Sequence, residues 1–79
     1  MVKVYTKASC APCQAVKRWL QQKGIAFEEK DISEPENAAE AMKLSGYSIV
    51  PVVVVEKLDQ LQVIAGLNYG RLAQLVGQN

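Results

Sequence analysis

The sequence predicts an α/β domain in the order β-α-β-α-β-β-α, with one mixed four-stranded sheet and helices on both faces. Three observations lead there. The segment Val2-Lys3-Val4-Tyr5-Thr6 alternates with a period of two. Two stretches of helical periodicity follow, each stopped by a glycine, Gly24 and Gly46. Two strand-like runs, Val52 to Val55 and Leu61 to Ala65, are then joined by a link that suits an antiparallel hairpin.

Taken in order, residues 2 to 6 are rich in β-branched and aromatic side chains and read as the first strand, ended by Ala8-Ser9. From about Ala11 to Lys23 the apolar residues Val16, Trp19 and Leu20 recur at helical spacing, with Lys17, Arg18, Gln21 and Gln22 on the other side. Gly24 supplies a left-handed stop. Ile25 to Lys30 is the expected second strand, and Asp31-Ile32 leads out of it. Ser33-Glu34-Pro35-Glu36 reads as a capping box, with Ser33 as the cap, Glu36 reaching back and Pro35 in the first turn, where it forfeits no intrahelical bond. Ala38, Ala39 and Met42 form the expected apolar stripe of that helix. The β-branched run Val52 to Val55 has the pattern of a strand buried on both faces. The chain must turn between Glu56 and Gln60 without Gly or Asn, return from Leu61 to Ala65 and break at Gly66. A helix from Tyr69 to Val76, with Leu72, Leu75 and Val76 apolar, closes the chain before Gly77. The strand-helix-strand unit favours a right-handed parallel pair.

Composition narrows the function classes. With 79 residues the chain is expected to form one domain, 1–79, and 49% apolar residues is ordinary globular composition. A domain of this size buries only roughly 60% of its unfolded surface, so function must sit at the surface. Nine basic and eight acidic residues leave a charge of +1 and no basic stripe, so nucleic acid is not an expected partner. The longest apolar runs, residues 49–55 and 63–67, fall far short of the ~20 residues a membrane span needs, and the chain is expected to be soluble. The first seven residues show no apolar h-region or cleavage site, which predicts residence in the cytoplasm. In a reducing compartment a lone cysteine pair is more often catalytic or metal-binding than a structural staple.

That pair is Cys10-Ala11-Pro12-Cys13, placed where the first strand gives way to the first helix. Residues three apart share a helix face, so the two sulfurs can meet as a disulfide or stand side by side as thiols. Cys10 lies at the helix N-terminus, where free N–H groups and the macrodipole favour an anion, and is the expected nucleophile. Placement alone is insufficient. An ordinary thiol is only about 3% thiolate at pH 7, and a pKa of roughly 7 requires about 2 kcal/mol of preferential stabilisation. The dipole contributes typically ~0.3–1 kcal/mol. Backbone N–H groups, the Cys13 thiol and a nearby Lys7 would have to supply the rest, since the chain has no histidine. Pro12 costs no hydrogen bond in the first turn and stiffens the segment. It also pushes Ala11 away from helical angles, which marks Ala11 as a boundary residue. Other readings stand beside this one. A zinc site would need two chains or recruited carboxylates, so no metal is expected within one chain. A structural disulfide closing so short a loop would contribute only about 2 kcal/mol. Two inert core cysteines are also compatible with the pattern. A CxxC after a strand and opening a helix reads as a thioredoxin-like redox motif.

Three motifs together carry a resemblance that spans nearly the whole chain. Thr6-Lys7-Ala8-Ser9-Cys10-Ala11-Pro12-Cys13, then Gly46-Tyr47-Ser48-Ile49-Val50-Pro51, then Gly66-Leu67 ahead of the last helix, resemble the glutaredoxins of the thioredoxin superfamily. The similarity is greatest to the NrdH-type redoxins that reduce ribonucleotide reductase. The resemblance implies a thioredoxin fold and thiol–disulfide oxidoreductase activity without a bound cofactor. In it Cys10 attacks a substrate disulfide and Cys13 resolves the mixed disulfide. It further implies that Pro51 is cis and lies opposite the cysteines, and that Val50 offers its backbone to an extended substrate. Lys7 would meet a substrate carboxylate or tune the thiolate, or stand simply as a solvated lysine. Tyr47, Gly66 and Leu67 are the further substrate contacts it suggests. Glutathione-using members usually carry paired acidic residues after the glycine that begins the last helix, whereas Gly66 is followed by Leu67-Asn68-Tyr69. An aromatic-Arg-Pro sequence of the NrdH pattern is not reproduced there either. Pro12 sits where thioredoxins place theirs, which implies a potential nearer roughly −270 mV than −200 mV. The expected partners are a disulfide-bearing protein, such as ribonucleotide reductase, and thioredoxin reductase as electron source, with the chain a monomer. The alternatives are recycling by glutathione and, in a different class, an iron–sulfur or zinc carrier bridging two chains.

Overall fold

The first strand, β1 (Val2–Thr6), runs into helix α1 (Ala11–Gln22), and the chain continues through β2 (Glu28–Asp31), α2 (Pro35–Ser45), β3 (Val52–Lys57), β4 (Gln60–Ala65) and α3 (Tyr69–Leu75). This is a computed structural model, and it describes residues 1–47, 49–57 and 59–75. The four strands form one sheet in the order β2-β1-β3-β4. β1 and β2 are parallel, while β1–β3 and β3–β4 are antiparallel, so the sheet is mixed as the connection lengths require.

The period of two along each strand divides the core between the faces. Val2, Val4, Val53, Val55 and Ile64 point to one face, where Val16 and Leu20 of α1 and Leu72 of α3 cover them. Tyr5, Val52 and Val54 point to the other, under Ala41 of α2. Two helices therefore stand on one face and one on the opposite face. All four valines of β3 are buried, as a strand sandwiched between helix layers must be. Trp19 of α1 and Tyr69 of α3 meet with ring centroids 6.3 Å apart, which ties the last helix to the first.

Both glycine stops form. Gly24 has φ +71° after the α1 cap Lys23, and Gly46 has φ +80° with its N–H donating to the Met42 carbonyl at 2.8 Å. Three local expectations are corrected. Ile25 and Phe27 do not join the second strand but pack, half-buried, against the α1 side of the core, with the Ile25 N–H bonded to the Leu20 carbonyl at 2.9 Å. Apolar contact with the helix wins over pairing at that edge, and the strand begins at Glu28. The capping box does not form either. Glu34 is the cap residue of α2 and makes no side-chain cap bond. The Asp31 carboxylate instead accepts the Ser33 N–H at 2.9 Å, and this bond, joined by one from the Ser33 side chain, lowers the Asp31 pKa. On α2 the buried position is Ala41, with Ala38 half-buried, whereas Ala39 is exposed and Met42 largely so. The face three residues apart, not the one containing Ala39, meets the sheet.

The hairpin between β3 and β4 closes with Lys57 paired to Gln60. Of the last helix, Val76 and Gly77 lie outside the described residues. Asn68 caps its start, the side-chain oxygen accepting the Arg71 N–H at 3.0 Å.

Tyr5 shows how the α2 face is held. Its ring is fully buried, and its hydroxyl donates to the Glu40 carboxylate at 2.8 Å. Burial first, then the Glu40 bond and charge, push its pKa above the ordinary tyrosine value. Tyr5→Phe is expected to cost about 1 kcal/mol, or a melting temperature lower by about 4–8 °C. The raised pKa also fixes a pH dependence. The neutral phenol is favoured by the fold, so its contribution is intact below about pH 10, the ordinary value, and is lost as pH rises from there toward the folded value. Thermal melts between pH 8 and pH 11 should therefore decline more steeply for the unmodified chain than for Tyr5→Phe.

Candidate active site

The site forms where β1 ends. Its last residue, Thr6, is buried, and two bonds fix it: its carbonyl accepts the Ile32 N–H at 2.9 Å, and its Oγ1 donates to the Glu29 carboxylate at 2.8 Å. Lys17, from α1, donates to the same carboxylate oxygen at 2.8 Å. Lys17 and then Thr6 lower the Glu29 pKa, against a smaller opposing effect of burial. One carboxylate thus joins β1, β2 and the helix that carries both cysteines.

Between β1 and α1 the chain must turn sharply, and Ser9 makes that turn with φ +62°. A left-handed conformation costs an L-residue roughly 1–2 kcal/mol, so the packing around it must hold it in place. Cys10 then adopts extended angles, φ −109° and ψ 104°, as the N-cap of α1. Its sulfur accepts the Cys13 N–H at 3.1 Å, occupying the place a serine or aspartate oxygen usually takes. Ala11 is the first helical residue and Pro12 the second, so the boundary expected at Ala11 falls between Cys10 and Ala11. Cys10 and Cys13 form a disulfide, with Cα atoms 5.2 Å apart. Cys10 is 6% exposed and Cys13 fully buried beneath it.

The sheet register brings the second wall. Tyr5 pairs with Val52 and β1 runs antiparallel to β3, so continuing the register past the strand ends places Pro51 beside Thr6 and Val50 beside Lys7. The Val50–Pro51 peptide is cis and Pro51 is buried. Gly66 continues the β4 register to Pro51 and donates its N–H to the Pro51 carbonyl at 2.8 Å. With φ +85°, Gly66 needs its backbone freedom, whereas space does not demand a glycine, since an added Cβ would stand 3.9 Å from Ile49.

An open groove beside Cys10 results. Lys7, Ser9, Ala11 and Pro12 line it from the β1–α1 connection, and Ile32, Ile49 and Val50 from across the sheet end. Of the residues expected from sequence, Cys10, Lys7, Ala11, Pro12 and Val50 meet here. Tyr47, 62% exposed, faces an adjoining apolar pocket instead, and Leu67 is exposed without lining the groove. Ser9, Ile32 and Ile49 were not singled out by sequence reasoning. Ile49 begins the apolar run that leads into Pro51, which was its one available signal. Among the described residues no group of three or more His, Cys, Asp or Glu gathers to hold a metal ion, and no helix is long and apolar enough to cross a membrane.

Two sulfurs that can close or open a disulfide at a groove mouth, on this sheet and helix arrangement, make the chain a thiol–disulfide oxidoreductase of the thioredoxin fold. The family model for glutaredoxin matches residues 2–58. The chain is 33% identical over 75 residues to the glutaredoxin-like protein NrdH of Lactococcus lactis, covering 95% of this chain and 99% of that one. Among solved structures, a point mutant of the thioredoxin-like protein BC3987 superposes with a TM-score of 0.85 at 27% identity, covering 96% of this chain and 99% of that one. The glutaredoxin-like NrdH-redoxin from Escherichia coli, described as having a thioredoxin-like activity profile, superposes with a TM-score of 0.77 at 27% identity, covering 99% and 97%. The chain belongs to the glutaredoxin family.

Proposed function

We propose that this chain is a cytoplasmic dithiol electron donor that reduces protein disulfides, with ribonucleotide reductase as client and thioredoxin reductase as its own source of electrons. Residues 1–79 act as one domain and need no bound cofactor. The observation that carries the reading is the layering of the two sulfurs, with Cys10 at the groove and Cys13 fully buried one helical turn inside. In the reduced chain the Cys10 thiolate attacks one sulfur of the client disulfide. That disulfide bond breaks, a mixed disulfide forms, and the client's other sulfur leaves as a thiolate and takes a proton. Cys13, deprotonated, then attacks the Cys10 sulfur and releases the second client thiol. Two electrons and two protons pass to the client, and the Cys10–Cys13 disulfide remains.

The Cys13 N–H that meets the Cys10 sulfur supports the first step, because the same donor would stabilise a thiolate there. Lys7 brings the groove a cation, and Val50 a backbone for strand-like pairing with the client. The similarity to an NrdH-redoxin described as having a thioredoxin-like activity profile supports a thioredoxin-type source of electrons, and the resemblance to the redoxins that reduce ribonucleotide reductase supports the client. The segment after Gly66 supports the same choice, since Asn68 there is spent on capping α3 and no acidic pair follows the glycine. The test offers oxidised protein either NADPH with thioredoxin reductase or NADPH with glutathione and its reductase, and follows absorbance at 340 nm. Turnover is expected in the first system. Turnover confined to the second would replace the reductant, and absorbance above 300 nm in anaerobically purified protein would replace the reading with a metal or cluster carrier.

A further inference from the structure

The two edges of the sheet differ in character. β2, at one edge, reads Glu28-Glu29-Lys30-Asp31, and a row of charges is how natural sheets keep an edge from pairing with another chain. β4, at the other, reads Gln60-Leu61-Gln62-Val63-Ile64-Ala65, without a charge or a proline, and its register with β3 runs unbroken. That register fixes which backbone groups are free. Gly66 donates its N–H to the Pro51 carbonyl, and hydrogen-bonded pairs alternate along an antiparallel ladder, so Gln60, Gln62 and Ile64 turn their N–H and C=O groups toward β3. Leu61, Val63 and Ala65 turn theirs outward, and no backbone bond joins them to another described segment. We propose that this edge pairs with the same edge of a second copy, antiparallel and with Val63 on the two-fold axis, so that the chain forms a reversible dimer in place of the monomer the resemblance implies.

A second copy is the occupant because the edge is its own complement. With Val63 opposite Val63, Leu61 of each copy lies opposite Ala65 of the other, and every one of these pairs is of the hydrogen-bonded kind, exchanging both N–H···O=C bonds. Shifting the axis by one residue sets Ala65 opposite Asp59 or Leu61 opposite Leu67, past the strand ends, and forfeits bonds. Size agrees with the register. Leu61, 50% exposed, is the largest side chain of the outward row and meets Ala65, the smallest. The row lies on the α2 face, where Val63 packs with Tyr5, Val52 and Val54, so pairing covers the exposed leucine and carries one apolar layer into the next. Charge agrees as well. No charged side chain of β4 meets its own image, whereas the same operation on β2 opposes Glu29 to Glu29, or Lys30 to Lys30 with Glu29 against Asp31. None of the residues lining the disulfide groove belongs to β4, so both copies keep a usable site.

The experiment weighs the oxidised protein by sedimentation equilibrium from about 20 µM to about 1 mM and follows amide exchange by NMR at both ends of that range. The mass is expected to rise from 8.7 kDa toward twice that value. At the high end the amides of Leu61, Val63 and Ala65 are expected to exchange at least about ten-fold more slowly than at the low end, while those of Gln62 and Ile64, already bonded to β3, change less. Leu61→Lys puts a charge on the edge at an exposed position, and is expected to remain a single chain throughout, with its circular dichroism and its rate of disulfide reduction unchanged. Leu61→Val, which adds no charge, is expected to keep the rise in mass. A constant mass of one chain for the unmodified protein would overturn the proposal. So would a dimer that persists in Leu61→Lys, or one in which the three outward amides exchange as before. A dimer that dithiothreitol dissolves would be a mixed disulfide through Cys10 and would overturn it too. Each of these outcomes leaves the reductase reading standing, since the turnover assay tests that separately.

Discussion

Cys10→Ser is expected to lower the rate of protein-disulfide reduction by at least ~1,000-fold, because the nucleophile is gone and no other side chain lining the groove carries a sulfur. Cys13→Ser should lower steady-state turnover almost as far, by another route. Its first step survives, so Cys10 still attacks and the mixed disulfide, with no resolving thiol behind it, accumulates. Intact-mass measurement after mixing with an oxidised client should show one client per chain for Cys13→Ser and none for Cys10→Ser. The reverse pattern would exchange the proposed roles. The burial difference is what makes the two variants distinguishable: only Cys10 reaches the groove, and Cys13 can meet a sulfur only after Cys10 has captured it.

Leu20→Ala is expected to have the largest effect on stability. Leu20 is fully buried on α1 and sits in the cluster with Val4, Val53, Ile64 and Leu72. A leucine-to-alanine change at such a site costs about 2–5 kcal/mol, of which part is the cavity left behind. Domains of this kind hold about 5–15 kcal/mol in total, and for one of this size each kcal/mol shifts the melting temperature by about 4–8 °C. A drop of about 8–40 °C by circular dichroism is expected, with the variant still active well below its new melting temperature. A shift below about 3 °C would mean that α1 is not held by this face. The same helix begins with the two cysteines, so anything that loosens its docking also loosens the geometry of the sulfurs.

The features legible in the sequence were those set by neighbours in the chain. The period of Val2 to Thr6, the buried run Val52 to Val55 and the stops at Gly24 and Gly46 depend on residues within a few positions, and each element appeared where its pattern lay. The cysteine pair was legible for the same reason. Ile25, Phe27 and the α2 face were misjudged because contacts from other elements decided them: Ile25 and Phe27 were claimed by the α1 side of the core, and the sheet chose Ala41 over Ala39. Asp31 displaced the expected Ser33 cap by offering a carboxylate two residues before Ser33. The groove itself was only half legible. Lys7, Ala11 and Pro12 adjoin the cysteines in sequence, whereas Ile32 and Ile49 reach them only because β1 lies between β2 and β3.

The cysteines lie on consecutive turns of one chain segment, already joined by the Cys13 N–H to the Cys10 sulfur. Closing so short a loop removes little freedom from the unfolded chain, about 2 kcal/mol in the chain-entropy model. The bond between the sulfurs therefore contributes less to stability than one closing a longer loop would. Charging and discharging can then proceed as a local stroke at one helix end, with the sheet and the remaining helices as bystanders. The change from disulfide to dithiol makes and breaks only the bond between Cys10 and Cys13, at the start of one helix.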